Sequence, residues 1–167
     1  MRITSLFLLL AVPLLASAQG DGAHRFGEWL HYTVPAEGSE PAIEVVETRQ
    51  PVRGISVIYS CTKHLEGQKE SLLLLNPGFA NMKNAQRFDA LFTFGKDTRR
   101  EYTDTELQAD PEHGTLDVVS GRNQVLRHMQ RYSTFIITQD DSPITAIAIP
   151  TAGFEEALKV ARQRCGL

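Results

Sequence analysis

Residues 152–167 read AGFEEALKVARQRCGL, and the reading of this closing stretch decides how the rest of the chain is arranged. Phe154, Ala157, Leu158, Ala161 and Cys165 recur at helical spacing, so they share one face of a helix. Glu155 and Glu156 stand near the positive end of its dipole, Arg162 and Arg164 near the negative end. Thr151 is the expected N-terminal cap and Gly166 the expected stop. Cys165 therefore points at the body of the fold. The chain has one other cysteine, Cys61, in GISVIYSCTK (54–63), whose β-branched and aromatic residues make it the clearest strand.

Whether the two thiols join depends on compartment, and the opening MRITSLFLLLAVPLLASAQG (1–20) bears on that. Arg2 gives a positive start, residues 6–15 form an apolar run too short to cross a bilayer, and Ala16-Ser17-Ala18 makes a small-x-small cleavage pattern. Residues 1–18 read as a signal peptide and 19–167 as one exported domain, periplasmic or secreted. Export puts Cys61 and Cys165 where thiols oxidise, and only one pairing is possible. The loop-entropy model assigns a bridge of this span about 4–5 kcal/mol. Cys61 and His64 stand at a C-x-x-H spacing, but a structural zinc site usually needs a second clustered pair. His24, His31, His113 and His128 are scattered singly, and no local C-x-x-C redox pair exists. The expectation is a structural disulfide, with no metal and no cofactor.

Strand patterning fills the space between the cysteines. EWLHYTV (28–34) and AIEVVETR (42–49) have strand composition, with Trp29 expected in the core. Residues 54–76 read as a hairpin ending in the apolar run ESLLLLN. QRFDALFTFG (86–95) alternates, with Phe88, Ala90, Phe92 and Phe94 on one side and Arg87, Asp89 and Thr93 on the other. Segment 96–108 holds a turn and a strand, ADPEHG (109–114) is a turn, and TLDVVSG (115–121) is a short strand. GRNQVLRHMQRY (121–132) forms a short helix capped by Ser120, with Val125, Leu126 and Met129 inward. Residues 133–150 read as a hairpin turning at Asp140–Ser142, with Pro143 opening its second strand. Residues 19–27 are polar and read as loose. About eight strands and two helices predict a mainly β (α+β) single domain. The architecture is an antiparallel β-sandwich or curled sheet with a short helix near 121–131 and a disulfide-tethered C-terminal helix.

Chemistry is sparse. Ser120 lies in VSGRN, outside any G-x-S-x-G, and the proximity of His113 and Asp117 does not assemble a triad. Glu101, Asp104, Glu106, Asp110 and Glu112 sit in polar connecting sequence, where solvation accounts for them. Removing residues 1–18 leaves the remainder one unit more negative than the formal −3 of the whole chain, and no basic run interleaved with aromatics points to nucleic acid. After signal cleavage no apolar run is long enough to span a membrane. The basic group Arg122, Arg127, His128 and Arg131 is either a solvated helix face or a docking patch for an acidic protein partner. Arg99 and Arg100 are a second candidate. Composition leaves the oligomeric state open.

EWLHYTV, VIYSC (57–61), RFDALF (87–92) and GFEEALKVARQRC (153–165) together resemble small bacterial envelope proteins. The types are the invasion-associated locus B proteins and the periplasmic accessory proteins of type VI secretion. That resemblance implies a one-domain β-sandwich closed by a helix and a disulfide, acting as a non-enzymatic binding or accessory module. SGRN (120–123) is similar to the inhibitory loop of some periplasmic lysozyme inhibitors. It implies the alternative of an inhibitor or immunity protein that blocks a cell-wall hydrolase or toxin.

Overall fold

The computed structural model of the protein describes residues 22–64, 67–95, 100–138 and 147–167. The expected signal peptide, the hairpin turn at Asp140–Ser142 with Pro143, and Arg99 lie outside these residues. Ten strands are described: β1 (His24–Phe26), β2 (Trp29–Val34), β3 (Ile43–Thr48), β4 (Ser56–His64), β5 (Gly67–Leu75), β6 (Arg87–Phe94), β7 (Glu101–Asp110), β8 (Thr115–Val118), β9 (Thr134–Thr138) and β10 (Ile147–Pro150). They form one antiparallel sheet in the order β1-β2-β3-β4-β5-β8-β7-β6-β9-β10. Two helices, α1 (Arg122–Arg131) and α2 (Phe154–Cys165), complete the mainly β fold.

Strand alternation explains where the core lies. Side chains two apart share a face, so cross-strand register carries one face through the sheet. His31, Val46, Tyr59 and Leu72 form a buried row across β2 to β5. Phe94, Phe135 and Ile149 form another across β6, β9 and β10. The predicted alternation of β6 holds for Ala90, Phe92 and Phe94, which are buried, and for Arg87 and Asp89, which are exposed. Each large side chain so buried contributes about 1.5–3 kcal/mol.

β8 has four residues and pairs with Leu73–Leu75 of β5 and Leu107–Asp110 of β7. The long hairpins β4–β5 and β6–β7 are therefore stitched together at one end only. α1 follows β8 directly and packs against β6, β7 and α2, with Val125, Leu126 and Met129 in the core. The helix fills the interior where the two hairpins part.

Three details correct the sequence reading. Residues 24–26 are not loose: they form β1, paired with β2. Hairpin pairing with β2 orders this strand, and the turn that follows it is tied to a distant segment. Glu28 N–H donates to the carbonyl of Ala152 at 3.0 Å, and Trp29 Nε1 donates to the carbonyl of Pro150 at 3.1 Å. Gly27 (φ 55°) and Gly153 (φ 88°) meet at this corner, and a Cβ on Gly153 would sit 2.1 Å from the Phe26 oxygen. Only glycine fits so close a crossing of two backbones. The second and third corrections concern caps. α1 starts at Gly121 and α2 at Gly153, both left-handed and without a side-chain cap. Ser120 Oγ accepts from Glu106 N at 2.8 Å, and the Thr151 hydroxyl donates to the carbonyl of Tyr132. The Gly121 carbonyl accepts from Gln124 and Val125 and the Thr151 carbonyl from Phe154, while the two hydroxyls join separate elements.

The disulfide is formed. Cys61 on β4 and Cys165 on α2 are bonded with their Cα atoms 6.2 Å apart, across 104 residues of sequence. Both are buried, and Gly166 ends the helix in the left-handed conformation, as expected. Replacing both cysteines with alanine should lower unfolding free energy by about 2–5 kcal/mol. A urea midpoint unchanged from the oxidised wild type would show that the bridge does not hold α2 to the sheet.

Candidate functional site

Register places an acid on each side of Cys61. Glu44 of β3 and Glu70 of β5 are its cross-strand partners. On α2, Arg162 and Arg164 flank Cys165 at angles of about 60° and 100° around the helix axis, from 3.6 residues per turn. The two patterns interlock. Arg162 Nε donates to Glu70 Oε1 at 2.8 Å, and Arg164 Nη1 lies 3.7 Å from Glu44 Oε2. Arg164 Nη1 also donates to Thr33 Oγ1 at 3.0 Å, and that hydroxyl donates to Glu44 at 3.1 Å. Tyr59 donates its hydroxyl to Glu70 at 2.6 Å, while His31 Nε2, fully buried, stands 2.8 Å from Glu44 Oε2. Arg162 also lies over the Tyr59 ring, 5.9 Å from its centroid.

Burial by itself pushes the Glu70 carboxyl up and is the largest single influence. The hydrogen bonds from Tyr59 and Arg162, with the charges of Arg162 and Arg122, together outweigh it and hold the group below 4.5. The Tyr59 phenol is driven well above its ordinary 10 by burial first, then by the Glu70 carboxylate. Glu44, Glu70, Arg162, Arg164 and Tyr59 thus bind one another around the disulfide, while His31 Nδ1 is buried without a hydrogen-bond partner among the described residues. Sequence reading missed this constellation, although one signal for it was present: a hairpin that pairs His64 with Gly67 sets residue 61 opposite residue 70.

The four basic residues predicted to form a docking patch separate into two sets. Arg127 and Arg131 are exposed, one turn apart. Arg122 is half-buried, and its guanidinium donates to the carbonyl of Glu70, where β5 runs past the end of β8. His128 is 9% exposed. Its ring meets Phe94 edge-on at 4.9 Å, and its Nε2 is 2.9 Å from Glu101 Oε2. The single-face grouping therefore fails for Arg122 and His128. His128 lies three residues after Val125 and four before Tyr132, on the border of the buried stripe.

His113, Asp117 and Ser120 are not brought together. His113 sits in the turn before β8 and bonds Asp110 at 2.7 Å, while Ser120 follows the other end of β8. That bond raises the His113 imidazole and lowers the Asp110 carboxyl. Burial raises Asp117, opposed by Arg122. Asp89, Asp104 and Glu106 line an open groove on the outer face of β6 and β7, where Arg87 pairs with Glu106 at 2.7 Å. The SGRN segment lies along β7, with Gly121 against the Asp104 carbonyl. No grouping of three or more metal-ligating side chains occurs among the described residues.

Neither a protein family nor a curated protein matches the chain. Among solved structures, invasion associated protein B from Bartonella henselae is similar, with a TM-score of 0.50 at 15% identity. The match covers 85% of this chain and 97% of that one. At such identity the likeness is one of fold.

The acid side of the stability profile tests the clasp. Glu70 is held below its unfolded value, so its contribution is present above about pH 4.5 and is lost as pH falls through the folded value. Glu70→Gln should cost about 1.5–3 kcal/mol at neutral pH, as expected for a bond to a charged group. It should also flatten the loss of stability below pH 4.5. Urea titrations from pH 3 to 7 read both effects, and a variant whose profile parallels the wild type removes Glu70 from the clasp.

Proposed function

We propose that the chain is exported to the bacterial envelope and works there without catalysis, as a rigid module that holds a surface toward a protein partner. The observation that carries this reading is how the polar side chains are used. Glu44, Glu70, Arg162 and Arg164 bind one another around the disulfide and fasten α2, while the exposed Arg127 and Arg131 of α1 take part in no ion pair among the described residues. A tied frame with unspent charge on its surface suits recognition more than turnover. The buried disulfide is compatible with an oxidising compartment. The likeness to an invasion associated protein of a bacterium adds fold-level support for an envelope role.

Two measurements check the two halves of the proposal. The N-terminus of protein recovered from the periplasm or medium should be Gln19, and a mature protein beginning at Met1 contradicts cleavage. Cross-linking of tagged protein in envelope extract should recover a specific partner, less of it with Arg127→Glu and Arg131→Glu. Equal recovery by wild type and variant takes α1 out of the contact, and no specific recovery by either contradicts the binding role.

A further inference from the structure

We propose that the last turn of α2 gates reduction of the disulfide: a dithiol reaches Cys61–Cys165 only after residues 162–167 lift from the sheet, and the Glu70–Arg162 and Glu44–Arg164 pairs set how often they lift. Thiol–disulfide exchange begins when a thiolate touches one of the sulfurs, so access governs its rate. Neither cysteine offers that access. Cys61 is 0% exposed and Cys165 2%. The Ala161 carbonyl oxygen lies 3.5 Å from Cys61 Sγ, so the backbone of α2 covers the sulfur carried by the sheet.

Only the helix side of the bond can open without dismantling the sheet. β4 is paired with β3 on one side and β5 on the other, and Cys61 stands within both ladders, opposite Glu44 and Glu70. The first turns of α2 are fixed by burial of Phe154, Ala157, Leu158 and Ala161 in the core. Past Ala161 the helix buries nothing but Cys165. Backbone bonds from Gly166 N to Gln163 O and from Leu167 N to Arg162 O close this last turn. Arg162 on Glu70 at 2.8 Å, and Arg164 on Thr33 at 3.0 Å with Glu44 at 3.7 Å, fasten it to the strands. A terminal helical turn with few buried contacts is the kind of unit that opens locally while the rest of a fold stays intact.

The exchange itself needs a dithiol from outside the chain. With the turn lifted, one thiolate of the reductant attacks a sulfur, forms a mixed disulfide and expels the other cysteine as a thiolate. The second thiol of the reductant then closes its own disulfide and expels the remaining cysteine. Two electrons pass from the dithiol to the cysteine pair, the two thiol protons end on Cys61 and Cys165, and α2 loses its covalent tie. This gate is independent of whether the chain binds a partner.

Dithiothreitol reduction of the full oxidised protein, followed by alkylation of the released thiols and mass measurement, tests the gate. Native wild type should react at least about a hundredfold more slowly than the same protein unfolded in urea. Below the unfolding transition the rate should climb with urea less steeply than global unfolding does, because lifting one turn exposes little surface. Glu70→Gln and Arg162→Gln should each speed reduction about tenfold. Arg164→Gln should speed it about two- to fivefold, since that side chain is 48% exposed. Arg87→Gln removes an exposed ion pair on the outer face of the sheet and should leave the rate unchanged. Melting temperatures confirm that the variants fold, and Arg164→Gln, the mildest change, carries the test where another variant does not. Equal rates for native and unfolded wild type overturn the proposal, because the bond is then uncovered. A urea dependence as steep as that of global unfolding overturns it as well, because the whole fold then has to open. Clasp variants that react no faster than Arg87→Gln remove the two ion pairs from the gate.

Discussion

The bond between Cys61 and Cys165 is the constraint on which the arrangement of this protein depends. It fixes one end of α2 over the middle of a nine-residue strand, and the flanking charges decide which way the helix faces. Ion pairs whose arginines stay partly in water, as Arg162 and Arg164 do, gain little net free energy, because solvent screening and desolvation offset most of the attraction. Their value here is orientation. Turning α2 by one residue, about 100°, would carry Arg162 away from Glu70, Arg164 away from Glu44 and Cys165 away from Cys61. The covalent link and the polar clasp therefore select the same helix rotation.

The same economy appears at the other contacts that close the fold. A ten-stranded antiparallel sheet has two edges to protect, and exposed edges invite pairing with other chains. Here the turn after β1 and the turn after β10 cross at Gly27 and Gly153, so the first and last strands meet at a corner. The short β8 joins the two long hairpins at one end, and α1 occupies the space where they diverge. Arg122 reaches from the start of α1 to the unpaired side of β5 and binds a carbonyl that a longer β8 would have met.

This construction divides the charged residues by task. Those on the inner side of the clasp are consumed in holding α2, and His128 with Glu101 holds α1 to β7. What remains exposed to solvent is the outer side of α1 and the wet faces of the strands. A surface carried on a helix locked at both its flanks keeps its side chains at fixed spacing, which lowers the ordering cost of binding.

Much of the fold was readable from residue order alone. Strand composition, apolar runs and, for β6, period-2 alternation located most of β2 to β9 within two or three residues, and the 3–4 spacing of Phe154 to Cys165 located α2 and aimed its cysteine inward. These are local patterns, and local sterics and burial enforce them. Most of the misreadings were relations between distant segments. β1 lacks an apolar pattern of its own and is ordered by hairpin pairing with β2. Ser120 and Thr151 look like caps, but glycine geometry and distant carbonyls reassign them. His128 reads as part of a basic helix face and turns inward because Phe94 and Glu101 wait there. The sequence determined most of the strands, both α-helices and the single possible thiol pair, because those follow from neighbours along the chain. Only the tertiary structure decided which charges are spent and which are free, because an ion pair depends on register and helix rotation that no single segment contains.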